Sequence, residues 1–253
     1  MKSIRALRLA LLVGACSSTS VGNPPRNSVE VQLTAFDALP AAKPTRRAAG
    51  VVILRALMVI ERVRIRSCAA AELEARGPYV ADLLGAGVVG MAPRYQTDER
   101  CFSSVQLKFA KLERGQAPVG APSDVVGRSL VIEGTSATGR RFRILADFDD
   151  ELELRAGTTG INLATGDARI FVAFASNTWI EAAALDAIPG TGDIAIDKDH
   201  NQTAYEAFRN AVKSSGHLFD DENHDGHLDD TEEHDDSERG EGRGAGGGGG
   251  GDG

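Results

Sequence analysis

Between Asp221 and Glu232 the chain reads Asp-Glu-Asn-His-Asp-Gly-His-Leu-Asp-Asp-Thr-Glu. Side-chain oxygens recur at alternate positions, Asp221, Asn223 and Asp225, and return at Asp229 and Glu232. Such spacing suits a hard cation. Ca²⁺ takes roughly six to eight oxygens at about 2.3–2.6 Å, and a short loop supplies them only if its donors keep returning to one side. Gly226 allows a sharp reversal of the backbone. Leu228 is the one aliphatic residue of the stretch and is placed to pack inward.

The twelve positions resemble the calcium loop of the EF-hand. The resemblance implies ligation by the side chains of Asp221, Asn223 and Asp225 and by the backbone carbonyl of His227. Asp229 would ligate directly or through water, and Glu232 would supply a bidentate carboxylate. Two departures stand out. Asp220 intervenes between the apolar Phe219 and the first ligand, and the segment Thr231 to Arg239 has no apolar face for a second helix. The loop is therefore a lone half-hand, similar to those of extracellular dockerin-type modules, and weak binding is expected, on the order of 10⁻⁴–10⁻³ M. The competing reading is an acidic solvated tail that fits the pattern by accident. All five histidines lie at or beyond His200, but His224 and His227 fall inside the oxygen-rich loop and no zinc-type spacing holds.

The N-terminus carries a second chemical signature. Lys2, Arg5 and Arg8 precede a short apolar run through Leu9, Leu11, Leu12 and Val13, which ends in Val13-Gly14-Ala15-Cys16. The run is too short to span a bilayer, which needs about 20 apolar residues. It resembles the lipobox of bacterial lipoproteins, in which a diacylglycerol is attached to the cysteine thiol and the chain is cut before it. Ser17, where an Asp would retain the protein at the inner membrane, implies sorting to the outer membrane. The expectation is a signal peptide over 1–15, a polar tether over 16–28 and an anchor on Cys16. The membrane is then reached through lipid alone.

Composition narrows the rest. The net charge is −8, yet from Asp220 onward thirteen acidic residues face two basic ones. The remaining mature body is neutral, which gives no support to nucleic-acid binding. Cys68 and Cys101 form an even pair in an oxidising compartment and are expected to join as a disulfide worth about 3 kcal/mol. Buried free thiols or metal ligands are the other readings of the pair. No GxSxG elbow, HExxH or phosphate loop is present. Asp149-Asp150-Glu151 reads as a solvated strand edge, and Trp179 as core near a strand end. The expected role is a non-enzymatic binding or structural module for a protein or carbohydrate ligand that the residues do not name. The alternative is an envelope-polymer hydrolase or other enzyme.

The elements that must position these residues read mostly as strands. Alternation marks 30–36, 105–112 and 151–155; Val51 to Cys68 is a long β-branched stretch that alternates over Ile60 to Arg66, and 168–176 is an apolar strand. The segments 129–133 and 141–148 flank a hairpin connection at Gly134 to Gly139, and a short strand closes at 193–196. Ala69 to Arg76 reads as a short helix. Thr203 to Leu218 reads as an amphipathic helix with Ala204, Phe208, Ala211, Val212 and Ser215 on one stripe, capped by Asn201 or Thr203 with Glu206 closing a capping box. Asp197 to Asn201 reads as its entry. The fold class is mainly β, an antiparallel β-sandwich with one C-terminal helix. It spans 29–200, with helix plus calcium loop over 201–232 and a disordered acidic, Gly-rich tail over 233–253.

From Val31 to Glu232 the order of features resembles a group of uncharacterised bacterial lipoproteins. The features are Gly77-Pro78-Tyr79-Val80-Ala81-Asp82-Leu83-Leu84, Val131-Ile132-Glu133-Gly134, Trp179, then a helix and the Asp-x-Asn-x-Asp-Gly loop. The resemblance implies a sandwich body and no activity. If Cys16 carries the lipid, metabolic palmitate labels the wild-type chain, and Cys16→Ser loses the label and leaves the membrane fraction. An unlabelled, soluble wild type overturns the anchor.

Overall fold

A computed structural model describes residues 27–36, 50–85, 87–89, 91–163, 166–221, 228 and 243–244, with backbone alone at 87 and 243–244. In chain order the strands are β1 Asn27–Phe36, β2 Val52–Ser67, β3 Glu72–Asp82, β4 Gly87–Val89, β5 Arg94–Thr97, β6 Cys101–Phe109 and β7 Leu130–Thr135. They continue with β8 Arg141–Ala146, β9 Glu151–Arg155, β10 Ile161–Asn162, β11 Asp167–Ala175, β12 Ile194–Ile196, β13 Gly216–Asp220 and β14 Arg243–Gly244. The helices are α1 Ser176–Ala183 and α2 Gln202–Ser214.

The chain is mainly β and forms two sheets. A four-stranded sheet runs β13-β11-β1-β5, and its inward residues are Val29, Val31 and Leu33 from β1, Ile170, Val172 and Phe174 from β11, and Leu218 from β13. The larger sheet meets them with Met58, Ile60, Val63 and Ile65 from β2, Leu107 and Phe109 from β6, Leu130 and Ile132 from β7, and Leu152 and Leu154 from β9. Alternation of this kind puts every second residue of each strand into one core. Pairing is antiparallel except where β1 lies parallel to β11 and β12 parallel to β8, both joined over long sequence separations.

β2 organises the larger sheet. β3 follows it from Leu57 to Arg66 along one side, while β7 takes Val52–Met58 and β6 takes Ile60–Ser67 along the other. The sheet therefore forks. At the branch, Val59 donates its N–H to Ser129 and accepts from the N–H of Ala110. A bulge between Ile60 and Arg62 moves the inward parity from Met58 and Ile60 to Val63 and Ile65. Opposite it, Gly77 of β3 has no room for a side chain, because an added Cβ would lie 2.6 Å from the Ile60 carbonyl oxygen. The outer face of the β7 branch is covered by residues 112–126, which bring Leu112 and Val125 onto Leu57, Val59, Val80 and Val131.

Three local expectations change. The segment read as a helix from Ala69 is the start of β3. Glu72 and Glu74 stand opposite Arg66 and Arg64 and pair with them, while Leu73 and Ala75 turn to the core. Cross-strand pairing overrides helix propensity there. A helix absent from the sequence reading, α1, follows β11 directly, so Trp179 is indeed core but on a helix, with its ring 6.1 Å from that of Phe208. The C-terminal helix ends at Ser214 rather than Leu218. Gly216–Asp220 becomes β13, and Gly216 is required because a Cβ would lie 2.7 Å from the Leu154 side chain. Asn201 does not cap α2 through its side chain. It sits at φ 53° and donates from Nδ2 to the Ala195 carbonyl at 2.7 Å, so the capping box is not made. Asp197 forms the helix entry, accepting from the N–H groups of Asp199 and His200. The expected disulfide is present, joining Cys68 after β2 to Cys101 at the start of β6 across 33 residues.

α2 is fastened to the body by charge as well as by Tyr205, Phe208 and Val212. Asp150 accepts from Arg209 at 2.8 Å and from Lys213 at 2.7 Å. It is thus no solvated edge residue, whereas its neighbour Asp149 is exposed and paired with Lys108. Burial alone would raise the Asp150 pKa, but the hydrogen bonds from Lys213 and Arg209 outweigh it and hold the carboxyl below the ordinary range. A depressed folded pKa contributes stability above the unfolded value, about 3.9, and loses it as pH falls through the folded one. Asp150→Asn should therefore cost about 2 kcal/mol at neutral pH. In denaturant titrations from pH 7 to pH 3, the gap from wild type should begin to narrow below about pH 4. A gap at pH 3 as wide as at pH 7 overturns the assignment.

Candidate functional site

Asp221, the first position of the twelve-residue motif, directly follows β13. Its side chain is only 2% exposed and its Oδ2 lies 2.7 Å from Arg169 Nη1. Its backbone N–H reaches the Arg169 carbonyl at 3.3 Å. Arg169 stands in β11 beside Glu30 of β1, and Glu30 in turn pairs with Arg94 of β5. The ladder Asp221–Arg169–Glu30–Arg94 thus crosses all four strands of the small sheet. The Arg169–Glu30 rung is the loose one: Nε is 3.6 Å from Oε1 and has no hydrogen-bond partner.

Leu228, the eighth position of the motif, packs against Phe171, Ala173 and Phe219 on the outer face of the small sheet, beside Phe36. His217 lies edge-on to Phe36 with centroids 5.4 Å apart. The two described positions of the motif are therefore held by different forces, Asp221 by an ion pair and Leu228 by apolar burial. The element before the loop is a strand, where the EF-hand pattern has a helix.

Asn223, Asp225, His227, Asp229 and Glu232 lie outside the described residues, as do Cys16, the signal peptide, most of the tether and most of the tail. Among the described residues no group of three or more His, Cys, Asp or Glu side chains could hold a metal ion. No described helix is long and apolar enough to cross a membrane. The donor chemistry of the motif still fits Ca²⁺, but one oxygen of Asp221 is engaged by Arg169. The burden of ligation would then fall on Asn223, Asp225, Asp229, Glu232 and the His227 carbonyl.

A second concave feature escaped the sequence reading. Beside the β2 bulge, bounded by Arg76, Gly77 and Pro78 of β3 and by residues 110–116 and 147–149, a cleft of about 860 Å³ opens. Val59, Ala110 and Pro78 supply its apolar lining, and Glu61, Glu113, Asp147 and Asp149 its carboxylates. Glu61 is the residue extruded by the β2 bulge, and bulges re-aim side chains in this way. Lys111, Arg62 and Arg76 also reach the cleft but are committed, to Asp147, Glu151 and Glu74 respectively. Burial raises the Asp147 pKa, and the Lys111, Tyr205 and Lys198 contacts overcome it, so the carboxyl stays below the ordinary range. The one available signal was the parity change between Ile60 and Val63.

Removing Asp221 leaves the Arg169 guanidinium without its strongest partner in a largely buried place. Asp221→Ala should lower stability by about 2 kcal/mol with calcium absent, and Asp221→Asn by less. Thermal melts in a chelator check this, and an unchanged melt for Asp221→Ala contradicts the ladder. Comparison with protein-family models, with curated proteins and with solved structures finds no match.

Proposed function

We propose that the chain is a lipid-anchored β-sandwich module without catalytic activity, tethered at Cys16 on the outer membrane and taking Ca²⁺ in the Asp221–Glu232 loop. The observation that supports the loop reading is its two-point attachment. Asp221 is sealed by Arg169 and Leu228 is docked on Phe171 and Phe219. Attachment at the first and eighth positions shortens the conformational search of the ligands between them, which lowers the ordering cost of binding a cation. The resemblance to dockerin-type loops adds the ligand identities.

The hydrolase alternative has the carboxylate-lined cleft in its favour. A glycosidase-type mechanism, however, needs one carboxyl held protonated near neutral pH by a raised pKa. Every described carboxylate whose pKa departs from the ordinary value is shifted downward, Asp147 of the cleft among them. Such groups suit binding better than proton donation.

Calcium titration of the mature chain by calorimetry should give a Kd on the order of 10⁻⁴–10⁻³ M. Asp225→Ala with Glu232→Gln should abolish the heat. Asp221→Ala is the wrong variant for this purpose, because it also breaks the Arg169 ladder. At ten times Kd, calcium would add about 1.4 kcal/mol to whatever unit the loop closes, read as slower proteolysis after Asp220. No heat at millimolar calcium reduces the loop to an acidic tail.

A further inference from the structure

We infer that the cleft beside the β2 bulge is a docking site for the side chain of a lysine or arginine on a basic peptide. The inference rests on the reading of the chain as a binding module, and not on the calcium loop. Three observations carry it. The cleft is large enough for a long side chain and part of its backbone, at about 860 Å³. Its cations are spoken for, since Lys111 pairs with Asp147, Arg62 with Glu151 and Arg76 with Glu74. Its remaining carboxylates are not all matched: among the described residues Glu61 and Glu113 carry no ion pair, and Asp149, paired with Lys108, is largely exposed.

A concave surface bearing unmatched charge over low-dielectric walls focuses its potential. Here the unmatched charge, on Glu61 and Glu113, is negative. Anionic ligands such as phosphates are disfavoured, because every cation in the lining would have to leave a partner first. A hydrated metal ion gains nothing from the apolar lining, and no three-carboxylate group close enough for a metal forms among the described residues. A saccharide would want an aromatic platform, and the lining has none. Lysine and arginine carry both features that the site offers partners for. Their methylene stems lie along apolar surface while the charged head stays among acceptors. Ala110 and Pro78 match the stem, and Glu61 and Glu113 match the head.

The test uses the full mature chain in EDTA, so that calcium plays no part, with fluorescein-labelled tri-lysine as the probe. Anisotropy should show saturable binding that Glu61→Gln with Glu113→Gln weakens roughly tenfold. Raising the ionic strength from about 0.05 M to about 0.5 M should weaken it further. The acidic stretch beyond Asp220 also attracts lysines, so a charge-matched control, Glu181→Gln with Glu206→Gln, should leave the affinity unchanged. Carbodiimide cross-linking followed by mass spectrometry should join the peptide amine to Glu61 or Glu113. The proposal is overturned by cross-links confined to residues after Asp220, by equal loss in the control variant, or by equal binding of labelled tri-glutamate. Failure here with calcium heat intact removes the peptide partner and leaves the loop reading standing.

Discussion

The parity of β2 is the constraint from which the rest of the structure follows. Sixteen residues form one strand, but no single alternation runs through it. Ile53 points into the core on one count, Ala56, Met58 and Ile60 on the next, and Val63 and Ile65 on a third. Each change of count extrudes a residue, Leu54 at the first and Glu61 at the second. The exposure of Leu54, 68%, is the visible cost of the first bulge. The second does more. It falls where β7 hands over to β6 along one side of β2, and it brings Glu61 to the cleft. Without that bulge, Val63 and Ile65 would face solvent and Arg62, Arg64 and Arg66 the core, a burial of charge that no sandwich sustains.

Charge is handled differently on the two sheets. The outer face of the large sheet is a lattice of Arg62, Arg64 and Arg66 against Glu72, Glu74 and Glu151. Its members are half exposed, so each pair contributes little to stability. What the lattice does is fix register, because a one-residue slip of β3 would set Leu73 and Ala75 opposite the arginines and turn Glu72 and Glu74 to the core. The small sheet has one ladder, and it is more buried at its Asp221 end. That ladder ties the C-terminal loop to β1, the strand that follows the expected membrane tether. Whatever fastens or loosens Asp221 therefore acts on the sheet that contains β1.

Much of the body was legible in the residues because burial in a sandwich is enforced with period two. The strands around Val31, Leu107 and Leu152 could be placed by alternation, those around Ile170 and Ile132 by an apolar run and a hairpin connection, and the pairing of Cys68 with Cys101 by their even number. The same local information misled between Ala69 and Arg76. Glu, Leu, Ala and Arg favour a helix in isolation, and only the arginines of β2 opposite them make the strand better. It also ran α2 too far, because His217, Leu218 and Phe219 continue an amphipathic pattern until β11 offers them backbone partners. α1 went unread because eight residues around Trp179 carry too little periodicity to separate from a strand end.

By itself the sequence determined the chemistry that could be present: an oxygen-rich stretch with Gly226 and Leu228, a cysteine after Val13-Gly14-Ala15 that resembles a lipobox, and an acidic end. Each of these depends on residue type and near-neighbour spacing, which the chain states directly. Tertiary structure decided which groups meet. It put Asp221 against Arg169, fifty-two residues away, gave Asp150 to Arg209 and Lys213, and gathered Glu61, Glu113 and Asp147 around one cleft. Those partners come from strands and turns brought together by core packing. No local pattern encodes their proximity, because it is set by how β2 bends and which strands its two halves accept.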